Sequence, residues 1–451
     1  MRTTGKRSVV LYVVLLAFIG GLAWFFISLF LNGGTWAMQP YNRHISLTSM
    51  GTITDRNGNV LAESKEGARI YNDDADVRRA MMHTVGDNNG SVATSVQATM
   101  YDKLSGYNFI TGSSKTLFNS FGRDIKLTID QDVTMAAYYA MGDRKGAAIL
   151  YNYENGEILA KVSKPTFDPS DPPESTDDPA YDGVYVDRVL SSSFVPGSTF
   201  KLITLAAAMD KWPDSWQDKE FTCEGSVEIG GSPVTCLGEH GTVQAQEALG
   251  VSCNVYFAQL ANEIGGEALQ KKAEAFGFNH PLSFQGIQVR QSRLDLSQAG
   301  ANDLGWSGVG QYTDLVNPYH ELTLVGAIAA DGSYAKPKLT GSVDLLGSLK
   351  SGSGSTRYMS SDQAASLRAM MRSNVQNYYG DDFFPAGMQV AAKTGTAEVG
   401  SDVGDTCWIV GFSTNPDTPY AFVVVVENAE GALSSAGTVA SQMLSAAAGI
   451  Q

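Results

Sequence analysis

The chain has 451 residues and carries 32 lysines and arginines against 47 aspartates and glutamates, so its net charge is −15 at pH 7. This length allows two or three domains, and a composition of 43% hydrophobic and 18% charged residues excludes wholesale disorder. The acidic balance leaves no basic run that could follow a phosphate backbone, which argues against nucleic acid as a partner.

The first predicted element is a transmembrane helix over residues 9–31. These residues carry no charge, and at ~1.5 Å per residue a helix of this length crosses a ~30 Å hydrocarbon core. The segment is too long for a cleaved signal peptide, so it predicts an uncleaved single-pass anchor. The basic side chains near it mostly precede it, namely Arg2, Lys6 and Arg7. We therefore expect residues 1–8 to be a cytoplasmic tail, with the rest of the chain outside the membrane.

Residues 32–123 are predicted to form a linker and a small pedestal domain. The linker, residues 32–48, is polar, and a strand pair around the turn Asn57-Gly58 follows it. A short helix is expected near Asp76–Thr84. The segment is too short to be an enzyme by itself, so a spacer is the default interpretation, and a binding role stays open.

Residues 124–451 are predicted to form one α+β domain. Asp130 is placed to cap a helix that Gly142 ends, and two strands then follow around a turn at Asn155-Gly156. The middle of the domain has mostly helical patterning. Strand patterning returns near the C-terminus before a last helix at about 435–448. Strands at both ends with helices between them indicate one sheet that unites distant segments.

Ser198 and Lys201 are the first candidate catalytic pair. Pro196-Gly197 predicts a turn after which Ser198 begins a helix, and side chains three positions apart on a helix share a face. A serine hydroxyl is a weak nucleophile unless a base takes its proton, which a lysine of lowered pKa can do. The pattern S-x-x-K is common, however, and Ser333–Lys336 matches it in a predicted loop.

The distribution of cysteines and histidines along the chain predicts neither a metal site nor a cofactor site. Cys223 and Cys236 bracket two β-like runs around Gly230-Gly231, which predicts a hairpin. Outside the membrane the two thiols could form a disulfide, and the alternative is two separate half-buried thiols. Because the spacing fits no common zinc pattern and the five histidines are scattered, we expect no metal.

Ser252-Cys253-Asn254 is the second element with catalytic chemistry. It follows Gly250 and precedes an apolar helix, so Ser252 and Asn254 can point together into a cleft while Cys253 turns away. Ser252 could relay a proton, and Asn254 could hold Lys201 or a substrate amide. The signal is weak by itself, because Ser413-Thr414-Asn415 matches it in a predicted turn.

The third element, Lys393-Thr394-Gly395-Thr396, lies in a strand-like run near the C-terminus. A lysine and two hydroxyls can bind a carboxylate, and Gly395 would give clearance for an extended peptide that pairs with the strand. For this tetrapeptide taken alone, the alternative is a surface lysine before a tight turn.

Taken in order, S-x-x-K, S-x-N and K-T-G are the motifs of the penicillin-binding proteins. The chain resembles the monofunctional class B members, in particular the compact penicillin-binding protein A-like subgroup. The resemblance covers about residues 124–450, including PGSTFK, GVGQ at 308–311 and KTGTAE followed by CWIVGF. It implies a β-lactamase-like α+β transpeptidase domain, with an antiparallel sheet from both chain ends beside a helical subdomain. A mixed pedestal and one transmembrane helix in a bacterial cell membrane would precede this domain.

The resemblance also implies a serine D,D-transpeptidase that cross-links peptidoglycan stem peptides and is inhibited by β-lactams. Ser198 would attack the penultimate D-alanine and Lys201 would act as general base. Ser252 and Asn254 would shuttle the proton and orient the peptide. The terminal carboxylate would be bound by Lys393, Thr394 and Thr396, and the backbone N–H groups of Ser198 and Thr396 would form the oxyanion hole. The implied membrane partner is a polytopic lipid-II-polymerising glycosyltransferase.

Three alternatives stay open at this point. A D,D-carboxypeptidase would use the same active site. A β-lactamase or β-lactam sensor would need a deacylating base or further membrane spans, and Glu398 is the nearest candidate base. A non-catalytic scaffold of a cell-wall synthesis complex would have no need for intact Ser198 and Lys201.

Overall fold

The computed structural model describes residues 2–37, 50–106, 124–340, 355–398 and 404–449. The first helix, Arg2–Ala37, extends past the predicted end at residue 31 and contains the window Ser8–Leu29, which is long and apolar enough to cross a membrane. The large apolar side chains in this window are mostly exposed, as suits a helix surrounded by lipid. The rest of the predicted linker and residues 107–123 of the pedestal lie outside the described residues.

A four-stranded sheet forms the pedestal. Its order is Ala68–Tyr71, Val60–Lys65, Ile53–Thr54 and Ile125–Lys126, with the last pair parallel and the others antiparallel. The helices beside it are Ala75–Val85, Val96–Thr99 and Tyr101–Ser105. The strand pair around Asn57-Gly58 and the helix near Asp76–Thr84 are therefore confirmed. Because Ile125–Lys126 completes this sheet, the proposed boundary at residue 124 falls just before a pedestal strand, and the domain division stays a prediction.

The pedestal packs against the following domain through apolar and ionic contacts. Most of its core residues belong to the same buried cluster as those of the large domain, and Met82 and Val92 form a second cluster with Phe167 and Val184 of that domain. Arg78 forms a two-pronged ion pair with Asp168 at 2.6–2.7 Å, and Asn57 Nδ2 donates to the Asp130 carboxylate at 3.0 Å. These contacts hold the pedestal against the large domain.

Five antiparallel strands form the central sheet of the large domain. Their order is Val390–Ala397, Asp405–Ser413, Tyr420–Ala429, Gly146–Asn152 and Ile158–Lys164. The run from Phe422 to Val426 is fully buried, which explains why this strand reads as a continuous apolar segment instead of an alternating one. The predicted sheet from both chain ends is confirmed, and it places the Lys393 strand at one edge.

Helices surround this sheet. Asp130 caps Gln131–Met141 by accepting from the N–H groups of Asp132 and Val133, and Gly142 ends the helix, as predicted. This helix packs against the last helix, Thr438–Ala447, while the fully buried Pro318–Ala329 packs against the three inner strands of the sheet. The other α-helices of this domain among the described residues are Arg188–Ser191, Lys201–Lys211, Ala245–Gly250, Asn254–Ile264, Gly266–Ala275, Ala301–Val309 and Ser361–Asn374.

Two-stranded ribbons complete the domain. The predicted hairpin pairs Glu220–Ile229 with Ser232–Gln244 around Gly230-Gly231 and is largely exposed. Smaller ribbons pair Ser283–Phe284 with Ile287–Gln288 and Ser333–Ala335 with Ser355–Arg357. The second S-x-x-K match therefore begins on a short strand and not in the predicted loop. Its pairing partner lies about twenty residues away, which local sequence does not reveal.

Candidate active site

Ser198 lies on a tight turn clamped between two other segments. The turn Gly197–Thr199 is a single turn of 3-10 helix that precedes the helix Lys201–Lys211, so Ser198 stands before this helix and not at its first position. Gly197 has a φ of +54°, and a Cβ there would lie 2.3 Å from the Thr396 carbonyl oxygen. Its N–H donates to the Gly310 carbonyl at 3.0 Å. The left-handed backbone and the close approach both require glycine at this position.

Lys201 is fully buried beside the Ser252-Cys253-Asn254 segment. Its Nζ donates to the Ser252 carbonyl oxygen at 2.7 Å, the Ser252 hydroxyl at 3.1 Å and Asn254 Oδ1 at 2.8 Å. Burial lowers the pKa of Lys201 to about 7. The lysine is therefore held in a polar cage, with an amine that releases its proton near neutral pH.

Lys393 reaches the same hydroxyl from the opposite side. Its Nζ donates to Ser252 Oγ at 3.1 Å and to the Thr394 carbonyl at 2.8 Å. Burial, and then the charge on Lys201, hold the pKa of Lys393 well below its usual range. One serine hydroxyl thus links two buried amines, and each amine disfavours a charge on the other. Ser252 adopts a φ of +57°, a strained conformation that recurs at functional sites.

The strand Val390–Ala397 has one described neighbour in its sheet, Asp405–Ser413, so its other side is an edge. On that side the Thr394 N–H donates to the Tyr379 hydroxyl at 3.2 Å, and Thr394 Oγ1 lies 3.2 Å from the same hydroxyl. Because strand N–H groups alternate in direction, the Thr396 N–H points to this edge as well. Thr396 itself is exposed.

Gly395 faces the nucleophile turn. A Cβ at this position would lie 2.7 Å from the Pro196 carbonyl oxygen and 2.9 Å from the Thr199 side chain. The clearance that the sequence assigned to a peptide is therefore occupied by the turn that carries Ser198. Gly395 and Gly197 together let the turn and the strand approach each other closely.

The structure brings the three motif segments together, because the turn that carries Ser198 packs against Thr396 and the Ser252 hydroxyl accepts from both Lys201 and Lys393. Sequence reasoning missed Tyr379, which lies on the π-helical turn Val375–Tyr379 after a long helix. It also gave no role to Gln311, whose Nε2 donates to the Thr396 carbonyl at 3.4 Å. The GVGQ segment marked Gln311, whereas no local signal marked Tyr379. Glu398, the candidate deacylating base, is exposed and lies just after the strand that ends at Ala397.

Comparisons with known proteins agree with this arrangement. Residues 146–445 match the family model described as the penicillin-binding protein transpeptidase domain. The chain is 31% identical over 347 residues to peptidoglycan D,D-transpeptidase PbpA of Mycobacterium tuberculosis, a match that covers 70% of each protein. Stage V sporulation protein D of Bacillus subtilis is 28% identical over 72% of this chain and 52% of that protein.

Solved structures of penicillin-binding proteins are also similar to this chain. A ceftriaxone acyl-enzyme complex of penicillin-binding protein A from M. tuberculosis superposes with a TM-score of 0.75 at 26% identity, covering 92% of this chain and all of that one. The matched family model spans well over half of the chain and includes every motif residue of the cleft. The chain therefore belongs to the penicillin-binding protein transpeptidase family.

Proposed function

We propose that the protein is a membrane-anchored serine D,D-transpeptidase of peptidoglycan synthesis, with Ser198 as the acylating nucleophile. The observation that carries this proposal is the cage around Lys201. A buried amine with a pKa of about 7 lies three residues after a serine, and Ser252 and Asn254 fix its position. Such an amine can accept the proton that a serine hydroxyl must lose before it attacks a carbonyl.

Acylation would form an ester bond to Ser198 and break the amide bond to the terminal D-alanine. The Ser198 oxygen forms an ester with the carbonyl carbon of the penultimate D-alanine, and its proton passes to Lys201. The amide bond to the terminal D-alanine breaks, and the leaving amine takes a proton through Lys201 and the Ser252 hydroxyl. An amine from a neighbouring stem peptide then attacks the ester, which forms the cross-link and restores Ser198.

The edge strand supplies the binding groups. A peptide laid along Lys393–Thr396 would add to the sheet, with its terminal carboxylate near Lys393, Thr394 and Thr396. The N–H groups of Ser198 and Thr396 would stabilise the oxyanion, because the Thr396 N–H points to the open edge and the Gly197 contact holds the turn against this residue. Tyr379 would orient Thr394 through their two hydrogen bonds.

Intact-mass spectrometry of the full-length protein in detergent, after incubation with penicillin G, tests this assignment. We expect one stable adduct per chain in the wild type and none in Ser198→Ala. Ser333→Ala, from the second S-x-x-K match, is the matched control and should still form the adduct. No adduct in the wild type would indicate a scaffold, and rapid drug consumption without an adduct would indicate a β-lactamase.

A second assay separates cross-linking from hydrolysis. A stem-peptide ester or amide that ends in D-Ala-D-Ala is supplied with and without an acceptor amine, and the products are identified by mass. A transpeptidase yields the aminolysis product in proportion to the acceptor, whereas a carboxypeptidase yields mainly the hydrolysed peptide. The relatives named as D,D-transpeptidases support the expectation that the aminolysis product will form.

The first helix supports a membrane anchor, and we propose that the N-terminus is cytoplasmic because the basic residues precede the apolar window. We also propose a polytopic lipid-II-polymerising glycosyltransferase as a partner of this helix. At Gly20 and Gly21 an added Cβ would meet nothing within 4 Å, so a partner helix could approach there. Protease accessibility in spheroplasts tests the orientation. Loss of co-purification in Gly20→Leu/Gly21→Leu tests the partner.

A further inference from the structure

Three cysteines and one histidine lie close together at the Ser252-Cys253-Asn254 segment, and Cys253 is one of them. The ligand atoms of Cys223, Cys236, His240 and Cys253 all lie within 4.8 Å of one another. Cys223 lies on the first strand of the long hairpin, and Cys236 and His240 lie on the second. Cys253 precedes the helix Asn254–Ile264 as its N-cap. The structure contains no disulfide among them, so the pairing of Cys223 with Cys236 is not formed.

Two distances between these atoms match those of a tetrahedral zinc site. His240 Nδ1 lies 3.6 Å from Cys223 Sγ and 3.5 Å from Cys236 Sγ. Zinc bonds of ~2.3 Å to sulfur and ~2.05 Å to nitrogen, at tetrahedral angles, place the two ligand atoms about 3.5 Å apart. The sulfur and nitrogen atoms therefore already stand at the separation that a central ion imposes.

The surroundings of the sulfurs also suit thiolate ligands. The Asn254 N–H donates to Cys236 Sγ at 3.2 Å, and the Tyr256 N–H donates to Cys253 Sγ at 3.4 Å. Backbone donors of this kind orient metal-bound sulfur and offset its negative charge. Three thiolates and a neutral imidazole give the ligand set Cys₃His, which is typical of closed, structural zinc sites.

We propose that Cys223, Cys236, His240 and Cys253 bind one zinc ion in a structural site. Binding exchanges three thiol protons for the ion and leaves no position open for substrate. This proposal revises the expectation of no metal, which rested on the cysteine spacing and on the scatter of the histidines along the chain. The hairpin register places Cys223 opposite Gly241, one residue from His240, and the tertiary fold brings Cys253 to the same point.

The ion would fasten the hairpin to the catalytic cleft. Cys253 lies between Ser252 and Asn254, and Asn254 Nδ2 donates to the hairpin carbonyl of Thr235 at 3.0 Å. Most hairpin residues are exposed, and the apolar contacts of this ribbon are confined to one face, where Val234 and Val243 are buried and Phe221 packs against Tyr256. The metal would thereby position the two residues that cage Lys201. This effect on acylation rests on the proposed function, whereas metal binding itself does not.

The test measures zinc in the full-length protein purified in detergent under reducing conditions, without chelator, after growth with added zinc chloride. We expect about one zinc ion per chain by plasma mass spectrometry. Cys223→Ser and His240→Ala should each lose most of this zinc. Cys407→Ser removes the fourth cysteine, which lies on a central strand outside the cluster, and should keep it.

Two further outcomes decide the proposal. If zinc is removed with a chelator, the melting temperature should fall and the penicillin acylation rate should drop about tenfold, and zinc chloride should restore both. A loss of melting temperature without any loss of acylation would still support the metal site and would count against its link to the cleft.

The proposal is overturned if the reduced wild type contains no zinc and takes up none from zinc chloride. It is overturned equally if zinc is bound but Cys223→Ser and His240→Ala retain it while remaining folded. A metal-free wild type whose non-reduced mass is lower by two hydrogens would assign the cluster to a disulfide instead. Circular dichroism of each variant separates ligand loss from unfolding.

Discussion

Lys161 and Lys201 are both buried, yet their amines face different partners. Lys161, on the edge strand Ile158–Lys164 beside the pedestal, lies 2.6 Å from the equally buried Asp187 and donates to the His83 carbonyl. Lys201 contacts a carbonyl, a hydroxyl and an amide oxygen. Among the residues that the structure describes, neither Lys201 nor Lys393 forms an ion pair.

The difference separates a structural lysine from a reactive one. A carboxylate compensates the charge of Lys161, and the pair joins the pedestal to the sheet because Lys161 donates to the His83 carbonyl and Asp187 accepts from Thr94. Neutral oxygens leave the charge of Lys201 uncompensated, and burial then lowers its pKa to about 7. A buried lysine therefore stabilises the contact between the pedestal and the sheet in one region, and can act as a base in the other.

Replacement of Lys201 should give the largest effect on chemistry. Lys201→Met keeps the length and burial of the side chain but removes the base, so we expect acylation by a fluorescent penicillin to slow by about 10²–10⁴-fold. The second-order rate constant of acylation is the measurement, and the melting temperature shows whether the variant is folded. A folded variant that acylates within threefold of the wild type would contradict the assignment of Lys201 as base.

Lys161→Met should produce the opposite result. The substitution leaves Asp187 buried without its partner, and we expect the free energy of unfolding to fall by about 3–5 kcal/mol. The fraction that stays folded should acylate at the wild-type rate, because Lys161 contacts no residue of the cleft. Urea unfolding and single-turnover acylation measure the two quantities.

A double variant sharpens this result. Lys161→Met/Asp187→Asn removes both charges and keeps a side-chain oxygen that can accept from the Val189 N–H, so much of the lost stability should return. If the double variant is less stable than Lys161→Met alone, the loss came from packing and not from the unpaired carboxylate.

The pH dependence of acylation should report the lowered pKa of Lys201. The base must be neutral to accept a proton, so the rate should fall as the pH drops through about 7. At pH 6 we expect a rate about tenfold below its plateau, because roughly a tenth of the amine is then neutral. A profile of penicillin acylation that is flat from pH 5.5 to 8 would exclude Lys201 as the titrating base.

Tyr379→Phe should give the smallest effect. It removes the hydroxyl that contacts the N–H and the side chain of Thr394, which costs about 0.5–1.5 kcal/mol, or about a two- to twelvefold weaker binding of the peptide substrate. The substitution should raise KM more than it lowers kcat. Tyr378→Phe, at an exposed neighbouring position, is the matched control and should leave KM unchanged. Equal effects of both variants would remove the proposed role of Tyr379.

Local sequence determined the elements whose signals are short-range. The uncharged run of residues 9–31 marked the apolar helix, Asp130 and Gly142 marked the two ends of one helix, and Gly230-Gly231 marked the hairpin. The three motifs also identified Ser198, Ser252 and Lys393, together with the residues beside them, because family motifs keep their spacing along the chain.

Only the tertiary structure decided how these groups interact. The Ser252 hydroxyl lies between Lys201 and Lys393, Gly395 makes room for the nucleophile turn, and Tyr379 reaches Thr394 from a π-helical turn. The same holds for Cys223, Cys236, His240 and Cys253, whose spacing along the chain fits no common metal pattern. Most of these contacts join different secondary-structure elements, and several join segments that are distant in sequence. The packing of the sheet, the helices and the hairpin sets them, and local sequence patterns carry no information about such distances.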